Sequence, residues 1–170
     1  MKRIFVEESI SLGENITNSK DILKAIAALA SKNRDLENIN EKDIFTALKE
    51  REALSSTGLT NGIAIPHCSL EDTQGFALGI LTLSEPIDFN SIDGEKSDIF
   101  IFLIGDMKKR NTHIKLLSQV ASMLKQEDKR SILRSNDKSA VVSMVNEMLQ
   151  SFDKSNEANG GDRAILHIFI

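Results

Sequence analysis

All six side chains of Ile99–Ile104 (IFIFLI) are apolar, and no other stretch restricts the fold as strongly. A strand wetted on one side alternates apolar and polar residues, whereas a strand without alternation has both faces covered. Ser97–Gly105 therefore predicts a central strand with helices over both faces, and Gly75–Leu83 predicts a second strand of similar texture. A third, short strand is expected over Ile63–Ile65, ending at Pro66-His67. Glu85-Pro86 and Asp93-Gly94 read as turns between the two long strands.

Helical spacing fills the rest. Asn18 or Ser19 caps a helix starting near Lys20, with Ile22, Leu23, Ile26, Leu29 and Ala30 on its buried stripe. A second helix follows Asn40, with Glu41 and Asp43 in its first turn, an apolar set of Ile44, Phe45, Leu48 and Leu54, and Arg51 near its end. A third begins near Asn111-Thr112 and carries Ile114, Leu117, Val120, Ala121 and Leu124. A short one is expected around Lys129–Arg134, and a last one from Asn136 to about Phe152. Helices and strands intermixed around a two-sided strand predict an α/β layered fold. The 170 residues suffice for one domain with a real core. We expect that domain to span 1–152. Residues 153–163 (DKSNEANGGDR) read as a linker, and Ala164–Ile170 as a strand that adds to a sheet edge or opens a truncated further region.

Composition excludes several functions. A formal charge of −4 argues against a surface built for nucleic acid or anionic lipid. A single cysteine rules out an internal disulfide and suits a reducing, cytoplasmic setting. Lys2 and Arg3 are followed by only three apolar residues before Glu7 and Glu8, too few for a signal peptide. The longest apolar runs are strand-length, so no membrane insertion is expected.

Candidate chemistry centres on His67 and His113; the remaining histidine, His167, lies in the terminal apolar run and reads as structural. Pro66 stiffens the chain that presents His67 at a strand end, where sites in α/β sheets gather. A neutral imidazole is a competent nucleophile and can form a phosphoramidate. The plain alternative is a half-buried histidine with a satisfied ring. His113 lies in the first turn of a helix, where unpaired backbone N–H groups favour an anion. Arg51 offers a planar fork of donors for phosphate oxygens, or else is a solvated surface arginine. GLTNG at 58–62 lacks the ending of a P-loop. His67, Cys68 and His113 make a poor zinc set. A Cys68–His113 nucleophile pair lacks an orienting third residue. The basic run Lys108-Lys109-Arg110 reads as a solvated loop close to His113.

The stretch from Arg51 to His67 (REALSSTGLTNGIAIPH), followed 46 residues later by HIKLLSQVASML from His113, resembles the fructose/mannitol-type enzyme IIA domain of the bacterial sugar phosphotransferase system, including its nitrogen-regulatory paralogues. The segment 87–104 looks like the family's turn and central strand, and the resemblance covers roughly residues 1–150. It implies a mixed, mostly parallel sheet flanked by helices. By position, His67 matches the phosphorylated histidine, His113 the second active-site histidine, Arg51 the active-site arginine, and Thr57 and Gly58 the Ser-Thr-Gly loop. Cys68 and Ile114 depart from the family's usual Gly and Leu, and Cys68 is expected to alter reactivity toward oxidants. The implied donor is the histidine-containing phosphocarrier protein. The implied acceptor is an enzyme IIB domain for sugar uptake or, alternatively, regulatory partners; no cofactor or metal enters the scheme. The pocket is expected to be shallow, with apolar surroundings for transient docking.

Overall fold

The structure, a computed structural model, describes residues 4–158, with side chains through residue 155. The strands are β1 (Phe5–Glu14), β2 (Ile63–Ala64), β3 (His67–Leu70), β4 (Ala77–Ile87) and β5 (Ser97–Asp106). The helices are α1 (Ser19–Ala30), α2 (Glu41–Leu54), α3 (Arg110–Leu124), α4 (Glu127–Arg134) and α5 (Lys138–Ala158). The sheet runs β1-β4-β5-β2, and β3 continues beyond β2 along the same side of β5. β4 and β5 are antiparallel. The pairings of β1 with β4, and of β2 and β3 with β5, are parallel. The sheet is thus mixed and mostly parallel, as the resemblance implies.

β5 is buried on both faces, and its parity sorts the core. Ile99, Ile101 and Leu103 join a cluster built with Leu116, Val120 and Leu124 of α3, Leu133 of α4 and Val141, Val145 and Leu149 of α5. Phe100, Phe102 and Ile104 join the opposite cluster, with Ile22 and Ile26 of α1 and Ile44 and Leu48 of α2. Helices therefore cover both faces, and an apolar side chain at every position is what that arrangement requires. Asn18 caps α1 by accepting from the Asp21 N–H, and Asn40 caps α2 by accepting from the Lys42 N–H.

β1 was not anticipated from the sequence. Its exposed Glu7 and Glu8 break the apolar alternation, and it is an edge strand, where charge discourages pairing with another chain. β4 passes through Glu85-Pro86 instead of turning there. The register against β5 slips between Thr82 and Ile87, and β1 pairs no further than Leu83, so the proline breaks no recorded ladder bond. The Asp93-Gly94 turn forms as expected, with Gly94 at φ +75°. The strand expected at 63–65 divides at Ile65-Pro66, so His67 opens β3 rather than closing β2. Leu54 is 83% exposed, not core, because α2 has already turned its last residues away from the sheet. On α3 the fully buried stripe is Leu116, Val120 and Leu124, while Ile114, Leu117 and Ala121 are only half-buried.

The last helix starts at Lys138, after Asn136 at φ +59°, with the Asp137 carboxylate accepting from the Ala140 N–H. It extends to Ala158 instead of stopping near Phe152, so the first half of the expected linker is helical. Residues 153–157 are polar and Ala158 is a strong helix former, so the stretch contains no helix breaker; Gly160-Gly161 comes later. The expected strand at Ala164–Ile170, with His167, lies outside the described residues.

Gly79 in β4 marks the tightest passage of the core. A Cβ there would lie 2.1 Å from the Phe102 ring and 2.6 Å from the Ser9 carbonyl oxygen. Gly79→Ala is expected to destabilise the fold by about 1–3 kcal/mol through overpacking. Urea unfolding checks this: the midpoint should fall with the slope unchanged, and an unmoved midpoint would show that Phe102 yields freely.

Candidate functional site

The segment leading to His67 is held from three sides. Asn61 (φ 59°) and Gly62 (φ 77°) form a tight turn, closed by the Ile63 N–H donating to the Thr60 carbonyl at 3.2 Å. Two consecutive positive φ values are the reason for Asn-Gly here. Arg134 of α4 clamps that turn: it meets the Asp98 carboxylate through two donors at 2.8 and 2.9 Å, and its Nη2 donates to the Asn61 carbonyl at 2.8 Å. Upstream, the Glu52 carboxylate accepts from both the N–H and the hydroxyl of Thr57. The Thr57 carbonyl in turn accepts from the Ile65 N–H at 3.1 Å. Glu52 was not singled out from the sequence; its signal was its place in the Arg-Glu pair. Burial pushes its carboxyl up from the ordinary range, against the opposing pull of the Thr57 hydrogen bonds and Arg51.

Alternation along β3 then decides which side chains meet. His67 and Ser69 fall on the α3 side, while Cys68 joins the core between the sheet and α1–α2. The Cys68 thiol is buried and pushed up to about 12 by desolvation, so it stays protonated and unreactive. This corrects the expectation that it alters reactivity toward oxidants, and removes the Cys68–His113 nucleophile pair.

His67 and His113 come together, with ring centroids 6.1 Å apart and planes at 78°. Phe76 stands edge-on to His113 on another side at 5.8 Å. The His67 Nδ1 lies 2.8 Å from the Ile65 carbonyl oxygen. A carbonyl only accepts, so Nδ1 carries the hydrogen. Desolvation, with Arg51 assisting, holds the His67 imidazole below its ordinary pKa despite the opposing Ile65 hydrogen bond. The neutral ring therefore keeps its lone pair on Nε2. His113 is only 5% exposed, and burial, with a smaller contribution from His67, takes it down to about 4. Its Nε2 has no hydrogen-bond partner among the described residues.

Both rings line an open pocket of about 450 Å³. Arg51 enters from the end of α2, its Nη1 donating to the Ser55 carbonyl at 2.8 Å, and Arg110 enters from the start of α3. Half-buried Ile114, Leu117 and Ala121 supply an apolar wall. Thr57 lines the pocket, but its hydroxyl is engaged by Glu52. Gly58 is outside the lining. It lets the chain pass Ser91, since a Cβ would lie 2.8 Å from the Ser91 Cα. Among the described residues no cluster of three or more His, Cys, Asp or Glu is arranged to hold a metal ion. Likewise no described helix is long and apolar enough to cross a membrane.

An imidazole with a free lone pair, a second neutral imidazole and two guanidinium groups suit the reversible holding of a dianion. Residues 3–148 match the family described as phosphoenolpyruvate-dependent sugar phosphotransferase system, EIIA 2. The nitrogen regulatory protein of Pseudomonas aeruginosa is 37% identical over 137 residues, covering 78% of this chain and 88% of its own. The mannitol-specific phosphotransferase enzyme IIA component of Geobacillus stearothermophilus is 29% identical over 150 residues, covering 85% and 97%. The nitrogen regulatory protein IIA-Ntr of Neisseria meningitidis has the same fold, with a TM-score of 0.77 and 24% identity over 83% of this chain and 95% of its own.

Burial of a neutral His113 has a consequence for stability. Its native pKa lies below the unfolded value, so the unfolded chain gains a proton near pH 6.5 that the native chain refuses until about pH 4. Stability therefore falls as pH drops through that window, by up to about 1.4 kcal/mol per pH unit. His113→Gln should flatten the profile between those pH values in urea titrations; parallel profiles would contradict the assignment.

Proposed function

The chain belongs to the EIIA 2 family of the phosphoenolpyruvate-dependent sugar phosphotransferase system, and from that premise we propose that it is a phosphohistidine carrier that accepts a phosphoryl group on His67 and passes it on. The observation that carries this reading is the His67 ring: neutral, half-buried beside an open pocket, with Nδ1 bound to the Ile65 carbonyl and Nε2 unprotonated.

In this scheme a phosphohistidine of the donor, the histidine-containing phosphocarrier protein, meets the Nε2 lone pair in line. The new P–N bond forms as the donor's P–N bond breaks, and the electron pair of the broken bond stays on the donor imidazole. Such a transition state is loose and asks mainly for positioning and charge stabilisation. Arg51 and His113 would hold the equatorial oxygens. Thr57, with its hydroxyl committed to Glu52, would act by shaping the loop. Onward transfer reverses the step toward a partner's nucleophile. The apolar wall of Ile114, Leu117 and Ala121 suits brief docking.

Mixing the protein with phosphoenolpyruvate and purified energy-coupling proteins should add one acid-labile phosphoryl group, absent from His67→Ala. Label persisting in that variant would defeat the assignment.

For the destination of the phosphoryl group, the names of the relatives favour regulation over sugar uptake. The nitrogen regulatory proteins of Pseudomonas aeruginosa and Escherichia coli are each 37% identical to the chain in the aligned parts, against 29% for the mannitol component and 26% for the fructose-specific EIIABC component of Bacillus subtilis. We therefore rank a regulatory IIA, whose phosphorylation state controls its partners, ahead of a fructose- or mannitol-type uptake carrier delivering to enzyme IIB. With phosphorylated protein in hand, transfer to purified fructose- and mannitol-type IIB domains should be negligible; rapid transfer to either would restore the uptake reading.

A further inference from the structure

Ser69 stands two residues beyond His67 on β3, so both side chains leave the strand on the α3 side. Its hydroxyl oxygen lies 3.4 Å from the Nδ1 of His113, the only hydrogen-bond partner recorded for that ring among the described residues. The ring cannot back away from Ser69 toward the sheet. Ser69 pairs with Gly105 of β5, and a Cβ at Gly105 would already lie 2.8 Å from the His113 Nδ1 and 2.5 Å from the Phe76 ring. Phe76 stands edge-on to the imidazole on another side.

A neutral imidazole carries one hydrogen, and the nitrogen that holds it is set by the partner of the other. A serine hydroxyl can donate or accept, so geometry alone allows two tautomers. Chemistry separates them. A buried polar group without a partner is costly, and one that persists calls for an explanation in use. With the hydrogen on Nδ1, the His113 Nε2 is a buried bare lone pair, which repels phosphoryl oxygens. With the Ser69 hydroxyl donating to Nδ1, Nε2 bears the hydrogen and becomes a donor waiting for an acceptor.

We propose that Ser69 is the positioning residue for His113: by donating to Nδ1 it fixes the tautomer that turns Nε2 into a hydrogen-bond donor for the phosphoryl oxygens on His67. The proposal rests on the phosphohistidine reading for its use, but the tautomer itself is measurable without any phosphoryl transfer. Ser69 touches no reacting atom in this scheme and acts only through the imidazole.

The test uses full-length protein with ¹⁵N-labelled histidine, read by long-range ¹H–¹⁵N correlation near pH 7. His113 should show a protonated Nε2 and an unprotonated Nδ1. Ser69→Ala should shift the ring toward the other tautomer or a mixture, and Ser69→Thr should restore the original pattern. In phosphoryl exchange with the purified donor protein, Ser69→Ala should slow transfer by about three- to tenfold, the loss of one neutral hydrogen bond, with Ser69→Thr close to the parent. A protonated Nδ1 in the parent, an unchanged tautomer in Ser69→Ala, or a shifted tautomer with unchanged transfer would each overturn the proposal. Absence of any label on His67 in the parent would instead strike the carrier reading, with the tautomer result standing by itself.

Discussion

The Nδ1–H of His67 donates to the carbonyl of Ile65 across 2.8 Å, and the pairing of the flanking strands keeps that contact in place. Donor and acceptor are two residues apart, so the bond exists only while the backbone bends at Ile65-Pro66. That bend separates β2 from β3. Parallel pairing anchors it on both sides: Ile63 and Ala64 lie against Ile99 and Phe100, and His67 lies against Leu103. β5 can serve as that rail because its apolar side chains are locked into two separate cores. A shift of one residue in β3 would exchange His67 and Cys68 between the faces of the sheet.

Electrostatics follows from the same placement. Burial holds both imidazoles neutral, so the pocket's positive charge comes from Arg51 and Arg110 rather than from histidine. A neutral His67 is a nucleophile, and a neutral His113 can approach it without mutual repulsion. The Glu52 carboxylate is turned onto Thr57, where it organises the loop.

Much of this was legible in the chain. The unbroken apolar run of β5 asks for cover on both faces, and its short length suits a central strand. His67, His113 and Arg51 were each ambiguous alone; the motif joined them, and the geometry brings all three to one pocket. What stayed hidden was tertiary in origin. β1 is an edge strand whose glutamates mask its pattern. Leu54 has core chemistry but sits where α2 ends. The division of α3 into a buried stripe and an apolar wall depends on the direction in which the helix crosses the sheet, which 3.6-residue spacing does not encode. Gly58 and Thr57 belong to the motif, yet here one serves packing and the other is held by Glu52.

The central claim is that the Nε2 of His67 carries the free lone pair and is the atom that bonds to phosphorus. Phosphorylating ¹⁵N-histidine-labelled protein and locating the ³¹P–¹⁵N coupling measures it directly. The account predicts phosphorus on Nε2 of His67 with the Nδ1 hydrogen retained. Phosphorus on Nδ1 would contradict it, because that atom would first have to give up the Ile65 carbonyl.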